Sequence, residues 1–233
     1  MSRFFSIIPA RIGSKGILKK NLYPLNGKPL IHWTIESSLK SKNITKTIVS
    51  SDSEEIFDSA KYFDIDLHKR GEALSNDIAK SESVIVNILE ENENIVDDFD
   101  YLILLQPTSP LRNSNHIDKA CEIILNDKSE SLMSVKEVSN SCLKALIHDG
   151  NKGLRSGFDS EFPFLPRQQL PKTFMPNGAI YISRIDYFLK NHNLLAEKNS
   201  FYIMDGEVSI DIDTHEDLQT TEAILNKMNK TNT

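Results

Sequence analysis

Cysteine is nearly absent. Cys121 and Cys142 are the only two in 233 residues, and neither sits in a C-x-x-C pair. That excludes a disulfide framework and a cysteine-based zinc site, and it fits free thiols in a reducing compartment. The six histidines are scattered without H-x-H or H-E-x-x-H spacing, so zinc chemistry and a Ser–His nucleophilic pair lack support. Basic excess is missing as well: 27 Lys and Arg face 33 Asp and Glu, a net charge of −6. Nonspecific nucleic-acid binding usually needs a basic face, so no nucleic-acid partner is expected. No apolar run approaches the roughly 20 residues of a membrane span, and no secretory h-region opens the chain, so no membrane association and a cytoplasmic location are expected. Neither G-x-x-x-x-G-K-[ST] nor G-x-G-x-x-G occurs. P-loop kinase and dinucleotide-oxidoreductase readings lose their main support. With no repeat, low-complexity tract or linker, residues 1–228 read as one domain, followed by a frayed tail at 229–233.

What is present is a repeating order of strand, loop and helix. Phe4 to Ile8 reads as a buried strand, and helix periodicity covers 29–41. A strand at 45–50, a helix opening near Asp52, a strand at 65–68 and a helix at 83–92 follow. Tyr101 to Leu105 is a continuous apolar run, typical of a central parallel strand. A helix at 117–125 and a strand at 132–138 complete the pattern. The expected fold class is α/β, a doubly wound, mainly parallel sheet. Ligands of such sheets bind beyond the carboxyl ends of the strands. The polar stretches 9–21, 69–81 and 106–112 should therefore gather into one site. The pattern breaks at 140–176, which is irregular and too long for a simple connection. It reads as an inserted arm, a lid or an association surface, with a short strand at 144–147. Strands are expected again at 177–183, 200–204 and 208–212, then a closing helix at 217–228.

Two stretches carry chemistry. The first strand runs into Pro9-Ala10-Arg11-Ile12-Gly13-Ser14-Lys15-Gly16, with Lys19, Lys20 and Asn21 just beyond. Small residues, open N–H groups and fixed cations are what a polyphosphate needs. The second is Ser209-Ile210-Asp211-Ile212-Asp213. On a strand, i and i+2 project side by side, and two adjacent carboxylates repel unless a cation lies between them. Hard oxygen ligands suit Mg²⁺, although Asp213 is equally well placed to cap the following helix. Gln106, Thr108, Ser109 and Arg112 after the central strand, with Arg167 and Asn177, offer further donors.

Five blocks, in order, resemble the cytidylyltransferases that activate nine-carbon sugar acids, the CMP-N-acetylneuraminate synthetases. They are Ile8–Gly16 with Lys20-Asn21; Arg70-x-Glu72-x-Leu74-Ser75-x-Asp77-x-Ala79-x-Ser81; Gln106-Pro107-Thr108-Ser109-Pro110-Leu111-Arg112; Pro166–Pro171 running to Pro176–Ile182; and Ser209–Asp213. Gly71 departs from the pattern, where the family usually has proline. The resemblance implies a nucleotidyltransferase, Rossmann-like fold and a homodimer joined by the arm. Its substrates would be CTP and N-acetylneuraminate, its product a CMP-sugar acid released with pyrophosphate. It implies that Ala10, Arg11, Gly13, Ser14, Lys15 and Lys20 cradle the triphosphate, that Asn21, Arg70, Ala79 and Ser81 contact the nucleoside, and that Gln106, Asn177 and Tyr181 face the sugar acid. Lys144 and Arg167 would reach a partner subunit's substrate carboxylate, Asp211 and Asp213 would hold Mg²⁺, and Asp213 would assist deprotonation. Two alternatives stay open. One is a cytidylyltransferase for legionaminic, pseudaminic or an eight-carbon acid; the other is a metal-dependent nucleotide-sugar glycosyltransferase, which also uses an Asp-x-Asp pair.

Overall fold

Phe4, Phe5, Ile7 and Ile8 are all fully buried, as a strand covered on both faces requires. This computed structural model describes residues 2–14, 16–75, 79–148, 150 and 153–231. In chain order its elements are β1 (Phe4–Pro9), β2 (Pro24–Leu25), β3 (Lys28–Pro29), α1 (Leu30–Leu39), β4 (Ile44–Ser51), α2 (Glu54–Ala60), β5 (Asp66–Lys69), α3 (Ser81–Glu91), α4 (Glu93–Asp98) and β6 (Tyr101–Leu104). Then come α5 (Ser114–Asp127), β7 (Ser131–Val138), β8 (Leu146–His148), β9 (Leu154–Ser156), β10 (Thr173–Arg184), α6 (Ile185–Asn191), β11 (Asn199–Ile203) and α7 (His215–Thr231).

Among the described residues the main sheet has the order β11-β7-β10-β6-β1-β4-β5. Only β10 runs antiparallel to its neighbours. Alternation along β1 divides the core. Phe4 and Ile8 pack with Ile31 and Ile35 of α1, Ile56 of α2 and Ile117 and Ile124 of α5. Phe5 and Ile7 face the other way, onto Val84, Ile85 and Ile88 of α3 and Phe188 of α6. Ser6 points into the first layer, where its hydroxyl is bonded to Ser38 and Thr47 at 2.7 and 3.1 Å, so no polar group is stranded. The doubly wound, mainly parallel sheet expected from the sequence is thus the observed fold.

A third cluster fixes the site. Ile17 of the opening loop, Leu25, Leu30 and Leu111 pack with Ile212 and with Leu218 and Leu225 of α7. Burying a side chain such as Ile212 contributes roughly 1.5–3 kcal/mol, which anchors the end of the chain beside the opening loop.

Several local expectations are corrected. No strand forms at 208–212; Gly206–Val208 is a single 3-10 turn and 209–214 is irregular. The arm contributes a two-stranded hairpin, β8–β9, whose first strand starts at Leu146 because Asn140–Lys144 is a 3-10 turn. The arm ends before 176, since β10 already pairs with β7 from Thr173. Helices α4 and α6 were not expected; they are only six and seven residues long, too short to show a period. The stretch 229–233, expected to fray, is helical as far as Thr231, and 232–233 lie outside the described residues.

Candidate active site

The carboxyl ends of β1, β5 and β6 open on one cleft of about 290 Å³. Arg11, Gly13, Ser14, Lys20 and Asn21 line it from the opening loop, Arg70 from just past β5, Ala79 from the approach to α3 and Ser81 from its first position. Gln106, Pro107 and Thr108 close one side, and Asp211 and Asp213 another. Lys15 lies outside the described residues.

Each wall is held from behind. Asn21 Nδ2 donates to the Arg11 carbonyl (2.8 Å), and the Ile12 N–H donates to Asp52 Oδ1 (2.9 Å). The Arg70 guanidinium donates from Nε to Ser50 Oγ (2.9 Å) and from Nη2 to the Ser50 carbonyl (2.8 Å). Burial pushes its pKa down to about 10; the charge of Asp52 opposes that shift and the charge of Arg11 adds to it. It is still a cation at neutral pH. Two guanidinium groups thus face one cleft with Asp52 near them, a field that attracts an anion. Ser81 brings the N-terminus of α3, which has no side-chain cap, to the same cleft.

Asp211 and Asp213 reach the cleft without a strand. Ile212 is fully buried and its N–H donates to the Thr108 carbonyl (2.8 Å), so the residues on either side are turned outward together. Capping does not occupy Asp213: Thr214 and Asp217 form the reciprocal cap of α7, with Asp217 Oδ2 accepting from the Thr214 N–H and Thr214 Oγ1 accepting from the Asp217 N–H. Lys20 Nζ donates to the Ile212 carbonyl (2.6 Å) and to Asp213 Oδ1 (2.9 Å). Asp211 is open to the cleft but crowded by chain behind it. Burial raises its pKa, the hydrogen bond from Thr108 lowers it, and the charge of Asp213 raises it again. Among the described residues no group of three or more His, Cys, Asp or Glu side chains gathers as a metal cage.

Other expected residues lie elsewhere. Ala10 is fully buried in the core, and its N–H donates to the Ser50 carbonyl (2.8 Å). Asn177 is buried, its amide taken by Ser134 and Ser209 (2.6 and 2.9 Å). Its Oδ1 also accepts from the Ala179 N–H (3.2 Å). Tyr181 is half-buried behind the cleft; burial raises its pKa, and the charge of Asp211 adds to that. Lys144 and Arg167 are on the arm and line no part of this cleft. Lys19 is turned away to Glu55 of α2. Arg112 is fully buried: Nη2 donates to Thr34 Oγ1 (2.7 Å), and burial pushes its pKa down to about 9. It braces the loop from inside and offers no donor at its surface.

Two glycines carry more than the sequence suggested. A Cβ on Gly16 would overlap the backbone carbonyl oxygen of Asp213, so the opening loop and the carboxylate segment touch there main chain to main chain. Gly178 has φ +77°, and a Cβ there would lie 2.7 Å from Gln106 Oε1 and 3.4 Å from Asp211 Oδ2. Asp52 was missed because it reads as a helix start, whereas Ser53 is the cap of α2. Its signal was an acidic residue directly after a central strand.

An open α/β sheet with a cationic loop at one end of its strands and a carboxylate pair across the cleft defines a nucleotidyltransferase-type protein. In particular, the chain belongs to the cytidylyltransferase family, whose model matches residues 5–228. It is 34% identical over 230 residues to an N-acylneuraminate cytidylyltransferase of Escherichia coli O18:K1:H7, covering 98% of this chain and 54% of that one. This chain therefore spans about half the length of the N-acylneuraminate cytidylyltransferases it matches. A pseudaminic acid cytidylyltransferase of Campylobacter jejuni is 32% identical over 224 residues, 96% of both chains. Among solved structures, CMP:2-keto-3-deoxy-manno-octonic acid synthetase complexed with CTP shares the fold at a TM-score of 0.73 and 17% identity, covering 97% of this chain and all of that one.

Proposed function

We propose that the protein transfers CMP from CTP to the anomeric hydroxyl of a nine-carbon sugar acid, N-acetylneuraminate, releasing pyrophosphate. The observation that carries this reading is the single cleft in which Arg11, Lys20 and Arg70 face Asp211 and Asp213. In it the triphosphate lies along the opening loop, where Arg11, Lys15, Lys20 and the backbone of Gly13 and Ser14 offset its charge. Asn21, Arg70, Ala79 and Ser81 orient the nucleoside, and Gln106 faces the sugar acid. The reacting hydroxyl then approaches the α-phosphorus in line, so the protein contributes positioning and charge neutralisation. Asp213 accepts the hydroxyl proton.

The donor set fits Mg²⁺. Two carboxylates lie together; burial is the main reason the Asp211 pKa is raised, the charge of Asp213 adds to it, and a cation would relieve that second part. Asp211 and Asp213 would hold the ion, and phosphate oxygens and water would supply its other ligands. Bound there, the ion would supply charge neutralisation at the phosphate oxygens and acidify a coordinated hydroxyl.

The arm belongs to a homodimer in this reading. It exposes Leu146, Ile147, Leu154, Phe158 and Phe164, an apolar surface that a second copy would cover. Lys144 and Arg167 would then lie near the partner's substrate carboxylate. Free Cys142, exposed on the same arm, suits a reducing cytoplasm. No helix among the described residues is long and apolar enough to cross a membrane. A second reading, pseudaminic acid as acceptor, is favoured by the match to the Campylobacter jejuni enzyme over nearly the whole of both chains. Pyrophosphate release from CTP with a panel of sugar acids decides between them. Release with N-acetylneuraminate supports the first reading, and release with pseudaminic acid alone supports the second. No release with any acid overturns both.

A further inference from the structure

Behind Arg70 lies a polar chain that the proposed chemistry does not use. Ser50 and His68 are direct cross-strand partners of β4 and β5. Ser50 Oγ accepts from Arg70 Nε and lies 2.9 Å from His68 Nδ1. His68 is buried, and its Nε2 lies 3.2 Å from Glu91 Oε2 of α3, outside hydrogen-bonding geometry. Proton counting sets the directions. Arg70 Nε can only donate, so Ser50 Oγ accepts there, and its own proton goes to His68 Nδ1, the one acceptor bonded to it among the described residues. His68 Nδ1 must then be bare, and the ring's one proton sits on Nε2, toward Glu91.

We propose that neutral His68, acting through Ser50, is a positioning residue that holds the Arg70 guanidinium at the nucleotide side of the cleft. The inference rests on the reading of the cleft as a CTP site. A second proton on the ring would reverse the Ser50 bond, because Nδ1–H can only donate. It would also add a positive charge beside Arg70. The charged groups around His68 are Glu91 of α3, which favours the extra proton, and Arg70, which opposes it; Asp66 and Lys69 of its own strand line the same outer groove. Burial is the largest influence and lowers the His68 pKa below its ordinary 6.5, so the ring is neutral at physiological pH.

The test combines His68→Leu, His68→Asn, Ser50→Ala and the His68→Leu/Ser50→Ala double variant, with CTP affinity by calorimetry and steady-state kinetics between about pH 5.5 and about pH 8. His68→Leu and Ser50→Ala should each raise KM for CTP about tenfold, with kcat at saturating CTP within about twofold of wild type. Asn can offer its oxygen where Nδ1 stands, so His68→Asn should restore most of the affinity. The double variant should lose no more than either single one, since both cut the same link. As pH falls past about 6.5 toward the lowered His68 value, the wild-type KM should rise relative to that of His68→Asn, a ratio in which ionisation of CTP itself cancels. Wild-type affinity in His68→Leu, additive losses in the double variant, or an unchanged ratio on acidification would each overturn the proposal while leaving the CTP reading intact. Failure of the wild type to bind CTP would overturn that reading and this inference with it.

Discussion

Asp211 and Asp213 owe their shared direction to the residue between them. Ile212 goes into the core, and its neighbours go out. Asp211→Ala and Asp213→Ala should therefore each lower CMP-sugar formation by at least about a hundredfold while the circular dichroism spectrum stays that of the wild type. Wild-type turnover in either variant would remove the metal assignment. Gly16 makes a different point. Its missing Cβ is what lets the opening loop lie against the Asp213 carbonyl. Gly16→Ala must push the two segments apart, so kcat/KM should fall with little loss of thermal stability. A melting temperature that fell in step with activity would make Gly16 a packing residue only.

The segment 209–214 lacks regular hydrogen bonding, yet it is held as firmly as a strand. Ile212 packs among Ile17, Leu218 and Leu225, its N–H meets the Thr108 carbonyl, and Thr214 and Asp217 start α7 at a defined point. Truncating Ile212 to alanine should cost about 2–5 kcal/mol in urea unfolding, the usual range for a buried isoleucine. Activity should fall further than that of an equally destabilising change in α5, such as Ile124→Ala, because only Ile212 aims the carboxylates. Helix α1 and the loop 106–112 are joined in a comparable way by buried Arg112, through Thr34.

Three buried or half-buried histidines give the whole molecule a direction in pH. Burial is the largest influence on His32, His68 and His116, and all three lie below the ordinary imidazole value. The unfolded chain then takes up protons first, so stability falls as pH drops through about 6.5 toward the folded values. The melting temperature should decline between about pH 7 and about pH 5, and less so in a variant lacking one of these rings. A flat profile would contradict the shifts. The proposed dimer has its own test. Mixing Asp213→Ala with Arg167→Ala should restore activity to about a quarter of wild type, since half of reassorted dimers are mixed and each has one intact site of two. No recovery would place Arg167 outside the partner's site.

The apolar runs at Phe4–Ile8 and 101–105 and the cations of the opening loop were legible from sequence alone, because local pattern decides burial and strand type. They determined the sheet, the end of it that binds, and most of the cleft residues. What no pattern could show was which donors are consumed elsewhere. Asn177, Arg112 and Lys19 all read as ligands and are instead committed to Ser134 and Ser209, to Thr34 and to Glu55. Asp213 read equally well as a cap and as a ligand; Thr214 took the cap and left it to the cleft. Those outcomes depend on hydrogen bonds between residues far apart in the chain. Only the folded arrangement, which sets the acceptors each side chain can reach, decided them.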